Sequence, residues 1–225
     1  MMIYTNGCSH TRGTPLSLND NLNDAWPYLI ARHYDCKVIN DSVLGASNDS
    51  IIKRTIEYVL ESPIPPDKVF IQFTVLDRFD TAGITHLPRS SMKQDHPYNN
   101  FYGDMFPRTS EVDTKLSHQV LNQIYMLQCF LIEHGVSDYR FIVWSALDTN
   151  YITYKHINKS KVVFNAFNNL LSKFEMCTIP DPERGGKPDG HFGSDAHRQI
   201  ADWLIDEYHV DNTDEKDYTF IDHLY

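Results

Sequence analysis

A serine in a glycine turn, and a carboxylate two residues before an imidazole, are the parts of a nucleophilic catalyst. This chain carries them near its opposite ends. Ser9 lies in the stretch Asn6-Gly7-Cys8-Ser9-His10-Thr11, and Asp189-Gly190-His191 lies in a loop rich in Pro, Gly and Asp. A serine hydroxyl attacks a carbonyl carbon only when a neighbouring imidazole takes its proton. The imidazole in turn needs a carboxylate that fixes its tautomer and stabilises its cation. The negative oxygen formed by the attack needs preorganised donors, each worth about 3 to 4 kcal/mol. Gly45 offers an N–H with no side chain in the way, Asn48 offers an amide NH2, and Thr74 closes an apolar run. Asp189 and His191 would not face each other on a helix, but around a glycine turn they can.

Other readings of the same residues are blander. Ser9 alone could be a turn or cap residue, and Gly45 a turn glycine. Cys8 is a conceivable thiol nucleophile, but is expected to point into the core. His10 reads as a polar turn residue. His197 is a second candidate base, yet its spacing with Ile200, Ala201 and Leu204 puts it inside a helix. Asp189, His191, Asp195 and His197 could suggest a metal site. Two histidines six residues apart do not share a helix face, so no metal is expected. Asp77 and Arg78 end an apolar run and read first as a surface ion pair.

Positioning these groups requires a scaffold, and hydrophobic periodicity supplies it. Short apolar strands are expected at 2–5, 37–40, 68–73, 140–147 and 174–179. Helical spacing is expected at 25–34, 49–61, 111–135, 161–173 and 194–208, with Ser47 or Asn48 as an N-cap and Gly135 as a C-cap. Pro63, Pro65 and Pro66 stop the second of these helices. Residues 79–111 show no clear period, which marks an insertion or lid; its Tyr98, Phe101, Tyr102 and Phe106 could stack on a ligand or pack the loop down. The acidic, aromatic tail 209–225 has no assignable pattern. Strands alternating with helices predict a three-layer α/β/α sandwich around a parallel sheet of about five strands, in one domain over 1–225. In such sheets the ligand site lies beyond the carboxyl ends of the strands. Ser9, Gly45, Asn48, Thr74, Asp189 and His191 all follow strands.

Composition narrows the partners. The chain has 20 basic and 30 acidic residues, a net charge of −10, which disfavours nucleic acid and anionic membrane. Its four cysteines, Cys8, Cys36, Cys129 and Cys177, form no CxxC pair, so a zinc ribbon is not expected and the thiols read as reduced. The opening MMIYTNGCSH lacks the charged and apolar regions of a signal peptide, and no apolar run is long enough to span a membrane. A cytoplasmic location is the default expectation. A protein released by lysis or carried on a virus particle would look the same.

At this point the residues resemble a family. IYTNGCSHT resembles the first block of the SGNH/GDSL hydrolases, in which the nucleophile sits in a Gly-Asp-Ser or Gly-Cys-Ser turn after strand one. NDSVLGASNDSI resembles the second block, in the subgroup with Gly-Ala-Ser-Asn, and puts the oxyanion glycine at Gly45. DGHFGSDAHRQIADWL resembles the last block, with acid and base just before a final helix. The resemblance implies a flavodoxin-like fold and a Ser9–His191–Asp189 triad. It implies an oxyanion hole from Ser9 and Gly45, with Asn48 as third donor. It implies cleavage of a carboxylic ester, such as a sugar O-acetyl group, without a cofactor. Two departures stand out. Where the family's third block reads Gly-x-Asn-Asp, this chain has Thr74-Val75-Leu76-Asp77, so Asn48 or Thr74 must replace the asparagine or the hole is weaker. Its acid–base spacing is Asp-x-His rather than Asp-x-x-His. Acyl transfer with the same triad, or a non-catalytic carbohydrate-binding or structural module, would use the same fold. The expected partner is a small-molecule or glycan ester.

Overall fold

The computed structural model describes residues 1–13, 22–76, 78–81, 84–86, 110–166, 180–181, 187–188 and 193–205. Its centre is a five-stranded sheet built from β1 (Met2–Asn6), β2 (Lys37–Asn40), β3 (Lys68–Phe73), β6 (Tyr139–Val143) and β7 (Val162–Val163). The strand order is β2-β1-β3-β6-β7 and every pairing is parallel. Two small antiparallel pairs stand apart, β4 (Phe79–Thr81) with β5 (Ile84–His86) and β8 (Pro180–Asp181) with β9 (Lys187–Pro188). The helices are α1 (Ser9–Arg12), α2 (Trp26–His33), α3 (Asn48–Glu61), α4 (Ser110–Glu133) and α5 (Ser194–Ile205).

Strand residues alternate between two cores, as a sheet covered on both faces requires. Tyr4, Val69, Ile71, Phe73, Phe141 and Val143 face α3 and α4, where Ile51, Val59, Leu121 and Ile124 meet them. Ile3, Phe70 and Ile142 face the other way, toward Trp26 and Ile30 of α2 and Ala196, Ile200 and Leu204 of α5. Full burial of each large side chain contributes about 1.5 to 3 kcal/mol. The expected three-layer α/β/α sandwich is therefore the observed one. No described helix is long and apolar enough to cross a membrane.

The structure corrects the expectation in several places. Val162 and Val163 were placed in a helix over 161–173; they form the edge strand β7, pairing with Phe141 and Ile142. Two β-branched neighbours favour an extended chain that packs on a pleated surface. The strand expected at 174–179 lies outside the described residues. β6 ends at Val143 rather than at Leu147. The stretch 79–111, expected without regular structure, opens with the β4–β5 pair. Gly135 does adopt the left-handed conformation, φ 80°, that closes α4.

The chain runs from β1 to β2 on one side and then to β3 on the other, so the strand order reverses at β1. Such a reversal leaves a crevice beyond the carboxyl ends of β1 and β3. The last residue of β1, Asn6, sits at its base with its carboxamide fully buried. Its Nδ2 donates to the Ile51 carbonyl (2.9 Å), Thr55 Oγ1 (3.1 Å) and the Tyr4 hydroxyl (3.2 Å). Its Oδ1 accepts the Gly7 N–H at 2.7 Å. Truncating this side chain strands several buried polar groups at once. Asn6→Ala is expected to lower unfolding stability by about 3 kcal/mol, measured as a reduced urea midpoint with unchanged slope.

Candidate active site

Three strand ends meet at the crevice. After β1 the chain turns through Gly7 and Cys8 into α1, a single turn with Ser9 as its first residue and Gly13 as its left-handed stop, φ 86°. Gly7 has no room for a side chain. An added Cβ would lie 2.1 Å from Thr11 Oγ1 and 3.0 Å from the Cβ of Gln72 in β3. Cys8 is fully buried, as expected, and its Sγ accepts from Gln72 Nε2 at 3.5 Å. Thr11 Oγ1 donates to Gln72 Oε1, so one glutamine of β3 grips both sides of the turn. Ser9 is only 5% exposed. A hydroxyl there sits in a water-poor setting, where its hydrogen bonds are stronger than in solution.

After β2, Asn40 donates from Nδ2 to the Thr11 carbonyl (3.2 Å), tying the second strand end to α1. Its Oδ1 accepts from the Ser42 hydroxyl and backbone N–H. The Val43 N–H reaches the Gly7 carbonyl at 3.2 Å. Gly45 follows with φ 71°, a left-handed conformation that costs a side-chain-bearing residue. Gly45 is thus demanded by its turn. Asp41 holds Arg54 and accepts the Tyr4 hydroxyl at 3.0 Å. Burial, then the Asp41 carboxylate, pushes the Tyr4 phenol well above its ordinary range.

Ser47 caps α3, its Oγ accepting the Ser50 N–H at 3.1 Å. That leaves the Asn48 side chain free of capping. It turns to the end of β3, where its Oδ1 accepts the Thr74 N–H (2.7 Å) and its Nδ2 donates to the Thr74 carbonyl (3.4 Å). Both residues are buried. Asn48 and Thr74 are therefore in direct contact, and one of the two Asn48 amide hydrogens is committed to Thr74. Leu76, where the resemblance expects an oxyanion asparagine, is half-buried and packs against the α3–α4 core.

Asp189 and His191 lie outside the described residues, as does Asp77. The chain re-enters at Gly193, two residues after His191, and Ser194 opens α5 with its hydroxyl 3.4 Å from Asp24. His197 is fully buried in α5, and its Nδ1 accepts the Trp26 N–H at 3.3 Å. It ties the first turn of α2 to the first turn of α5, with its proton on Nε2. Among the described residues no cluster of three or more His, Cys, Asp or Glu could hold a metal ion.

Some site-edge residues gave little signal in the sequence. Gln72 did offer one, a lone polar residue in the apolar run Lys68–Phe73. A second imidazole–carboxylate pair gave none, because its members are 30 residues apart. His118 Nε2 of α4 lies 2.8 Å from Asp148 Oδ2 in the loop after β6, and its ring stacks on Tyr151 at 3.9 Å. Nearer the turn, His10 meets Trp144 edge to face at 6.2 Å.

No protein-family model matches the chain, and no curated protein matches it. Solved structures do. One is a protein assigned to the G-D-S-L family of lipolytic proteins from Desulfitobacterium hafniense DCB-2. It is 10% identical, with a TM-score of 0.53 over 92% of this chain and 99% of that one. Another is the acetyl xylan esterase Est2A from the rumen bacterium Butyrivibrio proteoclasticus. It is 13% identical, with a TM-score of 0.50 over 91% of this chain and 62% of that one. The fold is therefore the α/β fold of the GDSL/SGNH hydrolases.

Two measurements check this geometry. Asn48→Ala leaves the buried Thr74 N–H and carbonyl without partners and is expected to cost about 2 kcal/mol in urea unfolding. The His118 hydrogen bond holds the Asp148 carboxyl below its ordinary range, with burial opposing and the Asn150 N–H assisting. A depressed carboxyl adds stability at neutral pH that disappears as pH falls through its lowered value. Wild type should therefore lose more stability than Asp148→Asn between about pH 5 and pH 2. The difference should be small, since both side chains are 30% exposed.

Proposed function

We propose, from the GDSL/SGNH fold this chain adopts, that it is a serine esterase with Ser9 as nucleophile, His191 as base and Asp189 as the carboxylate that orients it. The observation that carries this reading is the Asn48–Thr74 contact at the end of β3, next to the ends of β1 and β2 that Ser9 and Gly45 follow, where the strand order reverses. The Gly193–Ser194 start of α5, held beside Asp24, supports a base arriving from the preceding loop.

The reaction runs in two steps. Ser9 Oγ adds to the ester carbonyl as His191 accepts its proton, and the alcohol leaves as His191 returns that proton. Water then attacks the acyl-enzyme with the same imidazole as base. The N–H groups of Ser9 and Gly45 stabilise the oxyanion, joined by the Asn48 amide hydrogen not committed to Thr74. Asn48 takes the place of the family's third-block asparagine, and Leu76 marks the vacated position. The Asp148 carboxylate already orients one imidazole, His118, but that pair belongs to α4 and the β6 loop, two strands from β1. The substrate class we assign is a short-chain acyl ester of a carbohydrate hydroxyl, in line with the acetyl xylan esterase among the structural neighbours. Residues 79–111 are assigned as an insertion between β3 and α4.

The test is hydrolysis of 4-nitrophenyl acetate and of acetylated xylan by wild type, Ser9→Ala and His191→Ala. Both variants should lose at least about a thousandfold in kcat. Ser9→Ala should keep its melting temperature. Equal turnover by wild type and Ser9→Ala would remove Ser9 from the chemistry.

A further inference from the structure

Arg78 does not fit the account so far. It stands five residues beyond the end of β3, at the carboxyl edge of the sheet, and lines a narrow cleft with Asn48, Asp49, Leu76, Leu116 and Gln123. Its Nε and Nη1 are buried, and neither has a hydrogen-bond partner among the described residues. The Asp77 expected to pair with it lies outside the described residues. The cleft's own carboxylate, Asp49, accepts from Gln123 Nε2 at 2.6 Å instead.

A guanidinium is permanently charged and carries five N–H donors in a rigid fork. Withdrawing two of its nitrogens from water with nothing in return is unfavourable, and folded proteins ordinarily avoid it. The arrangement makes sense when a ligand supplies the missing acceptors. A carboxylate or phosphate matches the fork, accepting two parallel hydrogen bonds that neutral oxygens match poorly. Location makes the ligand specific. Asn48 lines this cleft and also grips Thr74 in the crevice where Ser9 stands. A molecule with its ester at Ser9 could thus extend an anionic group along Asn48 to Arg78. The chain's net charge of −10 gives no general attraction for anions, so recognition must be local.

The geometry points to Arg78 as the receptor for a carboxylate or phosphate borne by the ester substrate, which would then be an anionic acyl ester rather than a neutral one. This rests on the serine esterase reading above.

Matched ester pairs test it. 4-Acetoxybenzoate against 4-acetoxybenzamide places the anion on the alcohol side; mono-4-nitrophenyl succinate against 4-nitrophenyl butyrate places it on the acyl side. Wild type should favour the anionic member of one pair by about tenfold or more in kcat/KM, and Arg78→Met should bring that ratio to about one. Arg78→Lys, which keeps the charge and loses the fork, should retain part of the ratio. Without ligand, Arg78→Met should melt no lower than wild type, because it removes a buried charge without a partner. A wild-type ratio near one in both pairs overturns the proposal. So does an Arg78→Met protein that slows on both members alike or melts well below wild type, since Arg78 would then be structural. If wild type hydrolyses no ester at all, the esterase reading fails by itself. Calorimetry with 4-acetoxybenzoate and inorganic phosphate then decides on Arg78: binding by wild type and not by Arg78→Met sustains the anion site, and binding by neither ends it.

Discussion

The buried carboxamide of Asn6 joins more of this molecule than any other single group described. It ends β1, orients the glycine turn that presents Ser9, and fastens the first turns of α3 through Ile51 and Thr55. A low-dielectric interior makes such bonds strong when all are made and costly when one is missing. The turn therefore inherits its geometry from the sheet rather than from its own residues. Gln72 and Asn40 repeat the device from the two neighbouring strands, each holding part of α1. Three amides on three adjacent strands fix one short segment, which is how a four-residue helix can hold a position that its own propensity could not.

Much of this was legible in the sequence because the sheet is parallel and buried on both faces. Runs such as Lys68–Phe73 and Lys37–Asn40 are short, apolar and bounded by polar or proline-rich residues, so their limits matched the structure residue for residue. The expectation that Ser9, Gly45, Asn48 and Thr74 share one sheet edge followed from topology alone, and the Asn48–Thr74 contact is in keeping with it. What sequence could not separate was Val162–Val163 from a helix start. Two valines satisfy either pattern, and only the open edge of β6 makes them a strand. The capping role was equally ambiguous between Ser47 and Asn48. Either side chain could bond the first turn, and it took the nearby end of β3 to claim Asn48. Contacts such as His118 with Asp148 depend on how a helix lies across a strand end, which no local pattern encodes.

The departures from the family's usual blocks acquire a physical meaning here. Leu76, where the resemblance expects an asparagine, packs against the α3–α4 core. Under the proposed mechanism the donor role would pass to Asn48 on the first turn of α3, which is braced against Thr74 and needs no further ordering when charge develops. Bracing has a cost in capacity, since one amide hydrogen is already in use. A hole built this way would be rigid rather than generous.

One contact spans almost the whole chain. His197 of the last helix holds the first turn of α2 through the Trp26 N–H, 171 positions away in sequence. Closing so long a loop is entropically slow, and pairings of this kind form late in folding. During synthesis the segment with Ser9 emerges first and can settle against β2 and β3 as soon as they exist. The segment that delivers the proposed base emerges near the end. A growing chain thus displays the Ser9 turn for most of its synthesis before the segment proposed to activate it exists. On the proposed mechanism, reactivity is withheld until the two ends of the polypeptide have met.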